Sequence, residues 1–181
     1  MASPYGHALV GLSLFNLWYP RLVVTRGKTF LLYGLVIFGA CLPDLDFIPG
    51  LFLGNPSRFH HGPLHSLGIA VGLTLIFGLL MAFVMKEGFY LKASGFVFAL
   101  IFSHLLLDFF TIDPKPPFGF PVFWPLSETY FLSSWGFIPP VERNFALPQF
   151  WMETFKVFLV ESLLFLPLFL LSFKLKKIFS S

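Results

Sequence analysis

Residues 65–85 read HSLGIAVGLTLIFGLLMAFVM, and no lysine, arginine, aspartate or glutamate interrupts them. A helix needs about 20 mostly apolar residues to cross the hydrocarbon core of a bilayer, so this stretch predicts a transmembrane helix by itself. Four other stretches are apolar enough to form further helices of the same membrane bundle, although one of them carries Lys156 and Glu161. We therefore predict an all-α, polytopic membrane helix bundle that forms a single domain over residues 1–181. The predicted helices are at about residues 4–20, 29–43, 64–85, 92–110 and 152–175.

The composition excludes several other classes of protein. Charged residues make up 12% of the chain and apolar residues 56%, whereas soluble domains carry about 25% charged residues. The high hydrophobicity also excludes a disordered chain, and the single cysteine, Cys41, excludes a disulfide scaffold. A net charge of +3 is too small and too scattered for a nucleic-acid footprint. The expected partners are therefore membrane lipids, and no nucleic acid is expected.

Basic residues predict the orientation, because lysine and arginine are retained in cytoplasmic loops. They cluster after the first, third and fifth predicted helices, and alternating crossings place all three clusters on one side. Because they follow the first apolar stretch, an uncleaved helix is favoured there over a signal peptide. We predict a multi-pass protein of the inner (cytoplasmic) membrane with residues 44–64 and 111–151 on the exterior, periplasmic face. The basic residues are Arg21, Arg26, Lys28, Lys86, Lys92, Lys174, Lys176 and Lys177.

The exterior connection at 111–151 is rich in proline and aromatic residues. Connections of this length without regular structure often serve as lids or binding loops. Aromatic residues also form belts at the boundary between membrane and water. Both interpretations, a lid over a site and an aromatic belt, remain open from the sequence. The belt residues would be Trp124, Tyr130, Trp135 and Trp151.

Histidine and aspartate residues concentrate at the opposite ends of the helices from the basic clusters. At a rise of about 1.5 Å per helical residue, these histidines and aspartates lie roughly 18–31 Å along the helix axis from the nearest basic cluster. Ionisable residues at membrane depth mark a functional site by default. Taken singly, His7 could be a buried core histidine, and Asp44 and Asp46 could be turn residues. Taken together they predict a metal site whose ligands are His7, Asp44, Asp46, His60, His65, His104 and Asp108, with His61 in reserve.

Imidazole and carboxylate groups are ligands that suit Zn²⁺ and, less selectively, Mn²⁺ or Fe²⁺. His104 and Asp108 are four residues apart and share one helical face, so both can reach one ion. A catalytic zinc uses three protein ligands, and seven candidates therefore predict two zinc ions. Two ions about 3.5–4 Å apart can clamp a phosphoryl oxygen. The predicted activity is metal-dependent hydrolysis with metal-activated water at the exterior interface, in which Asp44 or Asp46 orients the water or acts as general base.

The same residues resemble the motifs of the YdjM-like family of LexA-binding, inner-membrane-associated, metal-dependent hydrolases. The ordered set comprises His7 with Gly11, a Pro-Asp-x-Asp turn at 43–46, HHGPLHS at 60–66, H-x-x-x-D at 104–108 and Phe-Trp-Pro at 123–125. It covers roughly residues 1–130. His61 and Leu64 stand where the family motif has arginine and threonine, a departure that concerns substrate contacts more than metal ligands.

The resemblance implies metal-dependent hydrolysis without specifying a substrate. The family is in turn similar to zinc-dependent phospholipase C and P1-type nucleases, which suggests phosphoesters such as phospholipid head groups or another amphiphilic substrate. Those enzymes have a further H-x-x-x-E pair that is absent here, which suggests fewer metal ions. Two alternatives remain: a metal-ion transporter or sensor, and a metal-independent enzyme of the lipid phosphate phosphatase type. Transport sites usually lie near the bilayer midplane in repeated halves, and the phosphatase's accompanying motifs are missing.

Overall fold

The computed structural model describes residues 1–22, 25–53, 59–84, 88–114, 118–142 and 147–180. The described residues are helical and contain no β-strand, apart from two isolated bridges that join Thr111 to Ile138 and Phe120 to Phe131. This confirms the predicted all-α class. The described residues form six α-helices, which are α1 (Pro4–Trp18), α2 (Arg26–Ala40), α3 (Phe47–Phe52), α4 (Leu67–Ala82), α5 (Phe89–Phe109) and α6 (Phe150–Ser180).

Short 3-10 turns explain where the helix boundaries differ from the prediction. A turn at Leu42–Asp46 follows α2 and leads into α3, a short helix that the sequence did not predict. A second turn at Pro63–His65 precedes α4, so the helix begins at Leu67 instead of residue 64. Serines cap two helices by accepting backbone N–H groups of the first turn, which stabilises their N-termini. Ser3 accepts from Gly6 and Ser66 accepts from Ile69.

Fewer helices are long enough to cross a membrane than the five that the sequence predicts. Among the described residues, Phe89–Phe109 and Phe150–Phe179 are sufficiently long and apolar. Gly27–Ala40 and Leu42–Phe52 add a third candidate only if the pair, bent by 63°, forms one span. The helix Leu67–Ala82 is apolar but shorter. Five complete crossings therefore remain a prediction.

The distribution of polar and apolar groups is nevertheless that of a membrane bundle. Large apolar side chains face outward, as Leu79 (67% exposed) and Leu163 (69% exposed) illustrate. Ionisable side chains such as His65 and Glu161 are fully buried. Helix α1 packs against α2, α5 and α6, and α4 packs against α5. A lipid environment favours this arrangement, since it requires apolar groups outside and satisfied polar groups inside.

The predicted separation of charges is visible in the bundle. The basic end joins the C-terminal ends of α1 and α6 with the N-terminal end of α5. Arg21 Nε donates to the carbonyl oxygen of Phe179 at 3.3 Å, and Lys176 Nζ lies 5.9 Å from the centre of the Phe15 ring. The predicted basic residue Lys86 lies outside the described residues. Histidine and aspartate residues meet at the opposite end.

We call the described residues 118–142 the cover segment, because they pack over the start of α4. Leu67 N–H donates to the carbonyl oxygen of Val122 at 2.9 Å. Phe120 is 2% exposed, and its ring centre lies 5.9 Å from that of His61. The cover segment therefore packs against His61 and the start of α4, and its predicted role as a lid remains a prediction. Trp135, by contrast, is 82% exposed, as an aromatic belt residue would be.

Gly68→Ala should loosen the cover segment. A Cβ at residue 68 would lie 2.1 Å from the backbone oxygen of Trp124, so the segment must shift. We expect a loss of about 1–3 kcal/mol of stability, the usual range for overpacking, measured by thermal unfolding in detergent. Gly72→Ala in the same helix is the control, since no heavy atom lies within 4 Å of its Cβ position; alanine there should stabilise by up to about 1 kcal/mol. Equal stability of the two variants would contradict the packing described.

Candidate metal centre

Four ligand atoms from three separate elements converge at the end of the bundle opposite the basic residues. One ligand atom from each of Asp44, His65, His104 and Asp108 lies within 4.8 Å of all the others. Asp44 comes from the 3-10 turn after α2, His65 from the turn before α4, and the other two from the last turns of α5. We call this set the four-residue cluster. His65, His104 and Asp108 are each at most 3% exposed.

The distances within the cluster are those of ligands around one small cation. His104 Nε2 lies 3.3 Å from His65 Nε2, 3.3 Å from Asp108 Oδ2 and 3.6 Å from Asp44 Oδ1. His65 Nε2 lies 3.5 Å from Asp108 Oδ2 and 3.7 Å from Asp44 Oδ1. Ligands placed tetrahedrally about 2.0–2.2 Å from a zinc ion are about 3.3–3.6 Å from one another. The donor set and its spacing therefore fit a divalent metal ion.

The hydrogen bonds of the Nδ1 atoms determine which ring nitrogen of His65 and of His104 faces the cluster. His104 Nδ1 lies 2.8 Å from the carbonyl oxygen of Ala40, which can only accept, so Nδ1 carries a proton. His65 Nδ1 lies 2.9 Å from Asp46 Oδ2 and donates in the same way. In the neutral imidazoles both Nε2 atoms then present lone pairs to the cluster. Bonds of this kind orient histidine ligands at metal sites.

With both imidazoles neutral, the cluster brings four acceptors together without a protein donor. Both carboxylate oxygens of Asp44 and Oδ2 of Asp108 are buried and lack a hydrogen-bond partner among the described residues. A buried polar group without a partner costs free energy. A proton on one imidazole would satisfy part of this set, whereas a divalent cation would satisfy all four groups at once.

His7 lies beside the cluster and contacts two of its members. Its ring stacks on that of His104 with centres 3.7 Å apart, and its Nε2 lies 3.4 Å from Asp108 Oδ1. Both ring nitrogens are buried and have no hydrogen-bond partner in the described part of the chain. The structure thus brings His7 to the predicted site but leaves it outside the group of four converging ligand atoms.

Asp46 and His60 were both predicted as metal ligands. They lie on the Nδ1 side of His65, away from the four-residue cluster. Asp46 Oδ1 is 3.0 Å from His60 Nδ1, and its Oδ2 accepts from Gly62 N–H at 3.1 Å in addition to His65. Both oxygens of Asp46 are therefore engaged away from the cluster. In this geometry Asp46 contacts and orients His65, and its predicted roles as a direct ligand and catalytic residue remain predictions.

Asp46→Asn should weaken metal binding without removing a cluster atom. One oxygen becomes an amide group that donates, and it then opposes an imidazole N–H. We expect zinc affinity to fall about 10–100-fold, the usual effect of losing a partner of a ligating histidine. Competition with a chromogenic chelator on detergent-purified protein measures this. Glu128→Gln, at an exposed residue of the cover segment, is the control. An unchanged affinity in Asp46→Asn would show that His65 does not depend on this carboxylate.

His61 lies between the cluster and the segment that follows α5. Its Nε2 is 3.9 Å from Asp108 Oδ2, and its Nδ1 is 3.5 Å from Asp113 Oδ2. Its backbone has a φ of 62°, a left-handed conformation that is uncommon for a residue with a side chain. Burial lowers the pKa of the His61 imidazole, although Asp113 acts in the opposite direction. A neutral imidazole is the form that binds metal.

A second group of histidines, His60, His61 and His65, also places one ligand atom from each within 4.8 Å of the others. This group is the weaker candidate, because His65 Nδ1 already contacts Asp46 and its Nε2 faces the four-residue cluster. The geometry therefore supports one metal position most directly, and the second predicted ion remains a prediction.

Two groups that contact the predicted site residues were not predicted from the sequence. Asp113 lies beside His61 and accepts from Gly119 N–H at 2.8 Å, and nothing in its sequence context marks it. The Ala40 carbonyl is a backbone group, which no side-chain pattern can reveal.

The fold and the site define a helical membrane protein with a buried cluster of histidine and aspartate that could hold a metal ion. The chain belongs to the YdjM family: the family model described as YdjM inner membrane protein matches residues 1–178. The predicted resemblance to this family is thereby confirmed over nearly the whole chain. No curated protein and no solved structure shows significant similarity to the chain, so the more distant likeness to phospholipase C and P1-type nucleases remains a prediction.

Proposed function

We propose that this protein is a multi-pass, membrane-embedded hydrolase that depends on a divalent metal, zinc foremost, and cleaves phosphoesters such as lipid head groups. The proposal is carried by one observation: four acceptor atoms converge at about tetrahedral spacing with no protein donor between them. An ion pair within the cluster would need a protonated imidazole, whereas a divalent ion would bind both neutral imidazoles and both carboxylates together.

A bound divalent ion supplies Lewis-acid chemistry, which acidifies water and polarises a phosphoryl oxygen. The residues of the chain supply the rest. His65 and His104 are held with Nε2 toward the cluster by Asp46 and the Ala40 carbonyl. Because the orientation of both imidazoles is fixed, the site does not have to reorganise during the reaction.

Asp44 is the best general base among the four residues of the cluster. Its side chain is 14% exposed, whereas those of the other three are fully buried. Oδ2 of Asp44 has no hydrogen-bond partner in the described residues. Asp44 would accept a proton from a water molecule whose oxygen attacks phosphorus, and it would return that proton to the alkoxide oxygen that leaves as the P–O ester bond breaks. Asp46, the other predicted base, is less suited because both its oxygens are occupied.

An amphiphilic substrate fits the position of the cluster. The four-residue cluster lies at one end of a bundle whose outer surface is apolar. The cover segment above it has exposed aromatic side chains such as Trp135. A phospholipid would keep its acyl chains in the membrane while its head group reaches this end. By the distribution of basic residues, this end would face the periplasm or exterior.

The test is a hydrolysis assay on purified protein reconstituted in liposomes that contain phospholipids, with generic phosphodiesters in parallel and with Zn²⁺ or Mn²⁺ added. We expect release of phosphorylated head group by the unmodified protein and none by His104→Ala. Asn16→Ala, at the other end of the bundle, should retain activity. Activity that survives His104→Ala or a chelator would exclude the proposed mechanism and favour a metal-independent phosphatase. Zinc flux into liposomes without hydrolysis would favour a transporter.

A further inference from the structure

We propose that Glu161 of α6 is a positioning residue of the metal centre, which acts by holding the first turn of α1 against Asp108. This inference rests on the proposed function, since it assigns a residue that prepares the site for its metal. Glu161 lies on a different helix from every member of the four-residue cluster, and no sequence motif includes it.

The carboxylate of Glu161 accepts hydrogen bonds from the residue that precedes α1. The side chain is completely buried, its Oε1 accepts from Ser3 N–H at 2.6 Å, and its Oε2 accepts from the Ser3 hydroxyl. A Cβ on Gly6 would lie 2.8 Å from Glu161 Cδ. The close approach shows that the carboxylate sits directly against the first turn of the helix.

The neighbouring residue connects this turn to the cluster. Ala2 N–H donates to Asp108 Oδ1 at 2.7 Å, and Ala2 is fully buried. Two consecutive backbone N–H groups thus bond to two carboxylates, one from α5 and one from α6. With Oδ1 occupied in this way, Asp108 is held so that Oδ2 faces His65 and His104.

His7 is held by the same turn. Its backbone N–H donates to the carbonyl oxygen of Ser3 at 3.1 Å, and its ring packs on His104. A displacement of Ser3 would therefore change the positions of cluster atoms in two ways. It would move Asp108 through Ala2, and it would move the His104 ring through His7.

Simple packing of α1 on α6 does not require a buried carboxylate. Neutral side chains join the same two helices elsewhere: Tyr5 contacts Ser162 at 3.1 Å, and Asn16 donates to Ser172 at 2.9 Å. A buried carboxylate is more expensive than a neutral hydrogen bond. Its presence at the level of Asp108 indicates a task that the neutral pairs do not perform.

Zinc affinity of detergent-purified protein, measured by competition with a chromogenic chelator, tests the proposal. We expect about tenfold weaker binding in Glu161→Ala, as for other groups that support metal ligands. Glu161→Gln, which keeps an oxygen to accept from Ser3 N–H, should retain most of the affinity. Asn16→Ala is the matched control, because it removes a buried hydrogen bond between the same helices far from the site. It should lower thermal stability without changing zinc affinity.

Ser3→Ala provides a second route should Glu161→Ala not fold. It removes the contacts of the Ser3 hydroxyl with Glu161 and with Gly6 N–H but leaves the backbone contact with Glu161. We therefore expect zinc affinity to fall about three- to fivefold, a smaller loss than in Glu161→Ala. Equal zinc affinity in Glu161→Ala, Ser3→Ala and Asn16→Ala would overturn the positioning role while leaving the proposed function intact. Absence of zinc binding by the unmodified protein would overturn the proposed function and this inference with it.

Discussion

Asp108→Asn is expected to abolish zinc binding at micromolar concentrations. Asp108 contributes one cluster atom, Oδ2, which lies 3.3 Å from His104 Nε2 and 3.5 Å from His65 Nε2. The substitution keeps the shape of the side chain and an oxygen that can accept from Ala2 N–H, so it removes the charge with little change in packing. We expect a loss of more than about 100-fold in affinity, because groups that only support a ligand are already worth about 10–100-fold.

Asp113→Asn is the appropriate control for this prediction. Asp113 is a carboxylate of the same region, but it contacts His61 and Gly119 instead of the four-residue cluster. Its substitution should change zinc affinity by no more than a few-fold. Isothermal titration calorimetry or chelator competition on both proteins compares them. Strong zinc binding by Asp108→Asn would mean that the metal ligands lie elsewhere.

The second large effect concerns stability. The four-residue cluster ties the turn after α2, the turn before α4 and the end of α5 to one point, so a bound ion should lock these elements together. A ligand present at about 1,000 times its dissociation constant stabilises the folded state by about 4 kcal/mol. For a chain of this size that corresponds to a rise of about 10 °C in the unfolding temperature.

Thermal unfolding in detergent, followed with added zinc and with excess chelator, measures this shift. Asp108→Asn should unfold at the same temperature in both conditions, because it has lost the site. Gly72→Ala, which lies in α4 away from the cluster, should show the full shift of the unmodified protein. An unmodified protein that unfolds identically with zinc and with chelator would contradict a metal centre at this position.

The sequence predicted the helical class and the meeting of histidine with aspartate because both follow from simple geometry. Apolar stretches indicate the helices, and the alternation of the helices brings groups at their ends to a common face. His65 and Asp108 were assigned to one site on this argument, and the structure places His65 Nε2 3.5 Å from Asp108 Oδ2.

What the sequence could not predict is decided by local backbone geometry. Asp44 and Asp46 are two residues apart, and only the 3-10 turn over Leu42–Asp46 determines that Asp44 faces the cluster while Asp46 faces the other side of His65. Helix α3 was missed because Pro43 and Pro49 both indicate a turn, whereas each occupies an early position in a short helical segment. The role of the Ala40 carbonyl depends on where α2 ends, which no side chain encodes.

X-ray absorption spectroscopy of zinc-loaded protein tests the proposed metal centre most directly. A site made by Asp44, His65, His104 and Asp108 should show four nitrogen or oxygen neighbours at about 2.0–2.2 Å from zinc, with the outer-shell scattering of two imidazoles. His65→Ala should reduce that imidazole scattering by half or release the ion. A spectrum without imidazole scattering, or a protein that retains no zinc after dialysis, would contradict the assignment.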